Sequence, residues 1–251
     1  MNDFRFSANT GFLWRELPFV ERIRMAGEFG FHGVEFHDEA QGTPTSEISS
    51  ALDDYGLSLV SLNTAKGRTF GTAAIPNLED VARRDIDTAI AIAEKLNANA
   101  VHILSGCVDD RRAYGTYISN LAYALNRTNK TLLIEPISAA SVPDYFLGEL
   151  ELALRIIEEI SDPQLKLMFD CFHIRHSYQD LEKIFRRCAN LVGHVQIASF
   201  PSRNEPFDSQ IVYSSLLRTM KSIGYDGFFG CEYLPKTTMK SGINWRETFS
   251  G

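Results

Sequence analysis

Four polar side chains close four successive apolar runs in the second half of the chain: Glu135 in TLLIEP, Asp170 in LKLMFD, Gln196 in LVGHVQIA and Glu232 in FFGCEY. An apolar run of strand length that stops at an acid or amide is what the C-terminal edge of a parallel barrel offers, where functional groups project from the strand tips. Singly, each acid has a plainer explanation, as a cap for the next helix or the partner of an arginine. Four on consecutive runs fit that explanation poorly, because neighbouring strands bring their tips together.

The rest of the chain alternates in the same way. Runs that read as strands fall near residues 4–8, 33–36, 57–63, 99–104, 130–135, 165–170, 191–197 and 227–233. Stretches with helical spacing lie between them, near 16–29, 45–55, 78–96, 110–128, 147–160, 178–188 and 209–223. The clearest apolar stripe is Val81, Ile86, Ala89, Ile90, Ala93 and Leu96, which recurs at the helical period. Gly30 and Gly224 stand where a helix stops and a strand is about to begin. Eight strand–helix units in 251 residues give a repeat of about 31, the size of a βα unit in a (β/α)₈ barrel. An open doubly wound sheet would call for a phosphate fingerprint, and neither GxGxxG nor a P-loop lysine motif is present. The economical organisation is one barrel domain over residues 1–251.

Composition narrows the function classes. A formal net charge of −7 disfavours a nucleic-acid surface, which usually carries a basic stripe. It leaves room for a small anion in a pocket of local positive charge. The four cysteines form no CxxC pair, so reduced thiols in a cytoplasmic protein are expected. No long apolar run and no leader-like N-terminus suggest a membrane partner. Exposed barrel helices would permit a homo-oligomer.

Three carboxylates and an amide at one point make a divalent-cation site of oxygen ligands, Glu135, Asp170, Gln196 and Glu232. Without a cation the carboxylates would repel and raise one another's pKa. Hard ligands favour Mg²⁺ or Mn²⁺, and Zn²⁺ or Co²⁺ would also accept four ligands. A cation holding two adjacent substrate oxygens acidifies the C–H between them, and a carboxylate on each side can move the proton. Glu135 and Glu232, on strands five and eight, are the natural pair for an aldose–ketose type isomerisation.

His173, three residues after Asp170, is expected to touch substrate, with ligand and helix-terminus roles as alternatives. His194 points to the same side as Gln196 but one layer deeper, where a packed, hydrogen-bonded histidine is expected, and His102 is at best a lining residue. His32, His37 and His176 carry no pattern. Cys171 and Cys231 alternate away from the interior and should be inert. Long loops after strands three (Thr64 to Asn77) and seven (Ala198 to Asp208) carry Lys66, Arg68 and Arg203, and would suit a lid over a substrate carboxylate.

At these residues the chain resembles the hydroxypyruvate isomerase family, within the xylose-isomerase-like barrels. The matching text runs through SANTGFLW, PFVERIRMAGEFGFHGVEF, SLN, LLIEPI, VPDYFL, FDCFH, GHVQIASFPSRNEP, GYDGFFGCEY and GINW, in order along nearly the whole length. The resemblance implies a (β/α)₈ barrel that interconverts hydroxypyruvate and tartronate semialdehyde, or acts on a related acid such as 2-oxo-tetronate. It implies a metal on Glu135, Asp170, Gln196 and Glu232, acid/base work by Glu135 and Glu232, and substrate contact by His173 and Arg203. The loops depart from the family: Ser138-Ala139-Ala140-Ser141 replaces an asparagine and a short polar stretch, Asp208 to Tyr213 reads DSQIVY, and Lys66 to Gly71 reads KGRTFG. A ketose 3-epimerase on the same barrel is a close variant, although its third ligand is typically a histidine where this chain has Gln196. An endonuclease IV type enzyme shares the fold but needs a three-zinc cluster with several more histidines. A non-catalytic ligand-binding barrel is the third alternative.

Overall fold

Eight parallel strands close on themselves. The computed structural model describes residues 4–207, 209–238 and 242–249; Asp208, at the end of the loop expected after the seventh strand, lies outside them. The order is β1 (Phe6–Asn9), α1 (Phe19–Glu28), β2 (Gly33–Phe36), α2 (Thr45–Tyr55), β3 (Ser58–Asn63), α3 (Glu79–Lys95), β4 (Ala100–His102), α4 (Ala113–Leu125), β5 (Thr131–Ile134), α5 (Leu150–Ile160), β6 (Leu165–Asp170), α6 (Cys171–Arg175), α7 (Leu181–Cys188), β7 (Val192–Ile197), α8 (Tyr213–Ser222) and β8 (Phe229–Cys231). Each strand pairs with the next, and β8 returns to β1 through Phe6↔Phe229, Ser7↔Gly230 and Ala8↔Cys231. The (β/α)₈ barrel expected from the alternation is the fold observed. Among the described residues no helix is long and apolar enough to cross a membrane.

Local chemistry explains the boundaries. Gly30 and Gly224 adopt φ of 68° and 102°, a left-handed turn that costs a glycine little and most residues about 1–2 kcal/mol. In α3 the buried positions are Ala82, Ile86, Ala89, Ile90 and Ala93. The expected stripe therefore holds, except that Ala82 takes the inner place and Val81 is half-buried. The helix expected over 178–188 is shorter and is preceded by α6, which is too short to leave a periodic signal. Asp170 caps α6, its Oδ1 accepting from the Phe172 backbone N–H at 2.7 Å.

The main apolar core lies between sheet and helices and takes in Cys171 and Cys231, both fully buried. Burial raises both thiol pKa values, as befits inert packing residues. The seam between β8 and β1 is reinforced by the 3₁₀ turn Asn244–Phe249. Trp245 meets Phe6 edge-on at 5.1 Å, and Phe249 meets Phe4 at 5.1 Å, contacts each worth about 0.5–1.5 kcal/mol beyond burial.

Alternation fixes what faces the barrel axis. On one side Ala100, Leu133 and Met168 form a separate small apolar cluster. On the other the inner layer is Ser7, Glu35, His194 and Gly230, joined by hydrogen bonds or close contact through the Glu35 carboxylate. The site lies one layer above, toward the strand tips.

Candidate active site

The tips of β5 to β8 carry Glu135, Asp170, Gln196 and Glu232, all buried. Asp170 ends β6 opposite Gln196, and Gln196 lies opposite Gly230, two residues before Glu232. The sequence stops each strand at these positions because the residues after them turn into loops or, after Asp170, into α6.

A cavity of about 220 Å³ opens above these tips. Its polar wall includes His37, Asn63, Lys66, Glu135, His173, Arg203 and Glu232, and its apolar wall includes Phe12, Phe70, Leu104 and Ile137. A larger groove of about 540 Å³, beside Phe207 and Trp245, includes none of the strand-tip groups.

Arg203 is the hub of the charged wall. Its guanidinium lies between Phe12 and Phe172, 4.7 and 4.6 Å from their centroids. Nη2 donates to Asp170 Oδ2 at 3.1 Å and lies 3.4 Å from Glu232 Oε2, while Nη1 reaches His173 Nε2 at 3.0 Å. Burial works against its charge, but Glu232, Asp170 and Glu135 outweigh burial and raise its pKa. Much of its donor capacity is thus spent on the protein's own carboxylates. Lys66 sits over the Phe70 ring at 4.4 Å and also lines the cavity. Arg68, expected beside it as part of the anion-binding loop, is exposed and does not line the cavity.

His173 occupies the first turn of α6. Arginine can only donate, so Nε2 accepts from Arg203. Nδ1 lies 3.2 Å from Ser138 Oγ and 3.4 Å from the Ser138 backbone nitrogen. Burial pushes the His173 pKa down to about 4, against the pull of Asp170, so the ring is neutral near pH 7. Its Nε2 lies 3.5 Å from Asp170 and 3.8 Å from Glu135. Glu135, Asp170 and His173 accordingly bring one ligand atom each to within 4.8 Å of one another.

Burial, then repulsion from Glu232 and Asp170, raises the Glu135 pKa well above the usual carboxylate range. A cation among these groups would relieve that repulsion. The donor set fits one. Glu135 Oε1, Gln196 Oε1 and Glu232 Oε2 are all buried and lack a hydrogen-bond partner, Glu232 Oε2 having only its 3.4 Å ion-pair contact with Arg203. Orphaned acceptors of this kind are rare in folded proteins unless an ion or water satisfies them. Glu135, Asp170, Gln196 and Glu232 could hold a divalent cation, with His173 within reach as a nitrogen donor.

Three groups escaped the sequence reading. His37, one residue past β2, lines the cavity, and its Nε2 lies 3.4 Å from Glu232 Oε1. Asn63, the last residue of β3, has its Oδ1 3.2 Å from His102 Nδ1. Glu35, inside β2, is 1% exposed. Burial opposes its charge, but His194, Ser7 and Gln196 prevail and lower its pKa. The one available signal for Glu35 was an acid embedded in the short apolar strand GVEF. His194 is buried with Nε2 3.0 Å from Glu35 Oε1, and His102 is buried with Nε2 3.8 Å from Glu135 Oε2.

A closed (β/α)₈ barrel with a carboxylate-rich pocket at its strand tips defines a class, and sequence comparison agrees with it. The xylose isomerase-like TIM barrel family matches residues 23–249, and the chain belongs to that family. It is 33% identical to a 2-oxo-tetronate isomerase of Cupriavidus necator, over 98% of this chain and 99% of that one. It is 32% identical to the hydroxypyruvate isomerase of Escherichia coli, over 98% and 99%. A crystal structure from Brucella melitensis, named as an AP endonuclease of family 2, superposes with a TM-score of 0.93 at 31% identity and 98% coverage of each chain. With these relatives the chain is an enzyme of isomerase type.

Proposed function

We propose that this enzyme is a divalent-cation-dependent isomerase of a small hydroxy-oxo acid, with hydroxypyruvate and tartronate semialdehyde, or a 2-oxo-tetronate, as the interconverted pair. The observation that carries the proposal is the set of buried oxygens without hydrogen-bond partners on Glu135, Gln196 and Glu232 at neighbouring strand tips, with Glu135 and Glu232 lining one small cavity, in a chain similar over 98% of its length to isomerases of such acids. Bound on Glu135, Asp170, Gln196 and Glu232, Mg²⁺ or Mn²⁺ (or Zn²⁺ or Co²⁺) would supply Lewis acidity to the two substrate oxygens.

The residues then divide the work. One glutamate of the Glu135/Glu232 pair takes the proton from C3 of hydroxypyruvate, so the C3–H bond breaks and an enediolate spans C2 and C3. Delivery of a proton to C2, together with transfer of the hydroxyl proton from O3 to O2, gives tartronate semialdehyde. Atoms and electrons balance without an external oxidant or organic cofactor. The Arg203 guanidinium contacts substrate oxygens, His173 lines the same wall and accepts from Arg203 through Nε2, and Lys66 holds the far carboxylate. The apolar wall of Phe12, Phe70 and Leu104 limits water at the reacting carbons.

The test is conversion of hydroxypyruvate by chelator-stripped protein with and without added Mg²⁺ or Mn²⁺. Cation-dependent formation of tartronate semialdehyde is expected; conversion unaffected by stripping would refute the cation requirement, and no conversion of any hydroxy-oxo acid would refute the substrate class. The name of the Brucella structure raises DNA cleavage as a second reading. The net charge of −7 argues against it, and cleavage of abasic-site DNA by the zinc-loaded protein would establish it.

A further inference from the structure

We infer that Glu35 is a positioning residue that fixes the polarity of the Gln196 side-chain amide, so that its oxygen rather than its nitrogen faces the strand-tip cation site. The inference rests on the proposed reading of those tips as a cation site. It is carried by the layer beneath them. Gln196 Nε2 donates to Glu35 Oε2 at 2.9 Å. Ser7 Oγ donates to Glu35 Oε1, and His194 Nε2 lies 3.0 Å from that same oxygen. The carboxylate is 1% exposed and cannot swing away. Even β8, two strands round the barrel, makes room for it: a Cβ at Gly230 would collide with Glu35 Oε1.

The consequence follows from donor chemistry. A carboxylate accepts and never donates, whereas an amide has one accepting and one donating end. A flipped Gln196 would set its oxygen against Glu35 Oε2 with no proton between them, and would turn an NH₂ group toward the cation site, where it cannot ligate. With the amide as it stands, Gln196 Oε1 is the buried, partnerless end. Outer groups that orient a ligand in this way typically change cation affinity about 10–100-fold when altered.

Glu35→Gln keeps the volume but offers Gln196 both a donor and an acceptor, so either amide polarity becomes satisfiable. The experiment compares Mn²⁺ affinity by titration calorimetry in wild type, Glu35→Gln, and the reversed pair Glu35→Gln with Gln196→Glu. It also follows the Gln196 side-chain amide protons by ¹⁵N NMR in cation-free protein. We expect the dissociation constant to rise about 10–100-fold in Glu35→Gln. In the reversed pair the introduced amide in β2 donates to the introduced carboxylate in β7, whose second oxygen still faces the site. Affinity should then return to within about tenfold of wild type. A space-filling role would leave Glu35→Gln at wild-type affinity and would give the reversed pair no advantage, and either result overturns the inference. Slowly exchanging Gln196 amide protons in wild type that exchange fast in Glu35→Gln support it whether or not Mn²⁺ binds; equal exchange in the two proteins overturns it. Wild-type protein that binds no divalent cation would instead remove the proposed cation site.

Discussion

The two sides of the barrel interior support the strand tips in opposite ways. Beneath Glu135 and Asp170 the floor is apolar, built of Ala100, Leu133 and Met168. Beneath Gln196 and Glu232 it is polar, built on Glu35 with Ser7 and His194, and with Gly230 leaving space. On the apolar floor a tip group gets no hydrogen bond from below. Glu135 is left with a raised pKa, and Asp170 is steadied from above by the Phe172 N–H and Arg203. On the polar floor Gln196 is held from below. The lesson is a division of labour: one side tunes charge through desolvation, and the other fixes direction through hydrogen bonds.

Four changes would break or sharpen this comparison. The largest effect is expected at the tips themselves. Glu232→Gln should lower kcat about 10²- to 10⁴-fold, the usual worth of a positioned acid/base; steady-state rates near wild type would remove Glu232 from the chemistry. Next, Leu133→Ala should hollow the apolar floor and cost about 2–5 kcal/mol of stability, while changing cation affinity less than Glu35→Gln does. Urea titration and calorimetry on both variants check this, and a reversed ranking would dissolve the distinction between the floors.

The third concerns His102, which burial first, then His37 and His194, pushes from 6.5 down to about 3. Below pH 6.5 the unfolded chain takes up a proton that the folded chain refuses until about pH 3. The contribution to stability is therefore whole above 6.5 and is lost as pH falls toward 3, at about 1.4 kcal/mol per pH unit for one proton. His102→Gln should flatten the pH dependence of stability by that amount between about pH 6 and 4, and an unchanged slope would contradict a neutral buried His102. The smallest effect is at the rim: Lys66→Ala should raise KM for a hydroxy-oxo acid about tenfold with little change in kcat. Equal losses for uncharged sugars would exclude a carboxylate contact.

How much of this could be read in the sequence follows the same division. Glu135, Asp170, Gln196 and Glu232 were legible because each ends an apolar run, and a run's end is a strand tip once the alternation is recognised. The barrel was legible because eight such runs are spaced by helical stretches. Glu35 was hidden because its meaning depends on partners in β1 and β7, far away in sequence, and an acid inside GVEF has no periodic signature. His37 follows its strand by one residue in a polar stretch, so nothing local aims it at Glu232. The helix α6 was missed because five residues show no period. The resemblance supplied Arg203, but the sequence could not show that its guanidinium is held by Asp170 and Glu232.

The most direct test of the central claim is proton NMR in D₂O on cation-loaded protein with hydroxypyruvate, beside a Glu232→Gln control. Deuterium entering the carbon next to the carbonyl at a rate that requires both the cation and Glu232 is the result this account predicts. Conversion or binding with no solvent deuterium at that carbon, or exchange unchanged in the control, would contradict it.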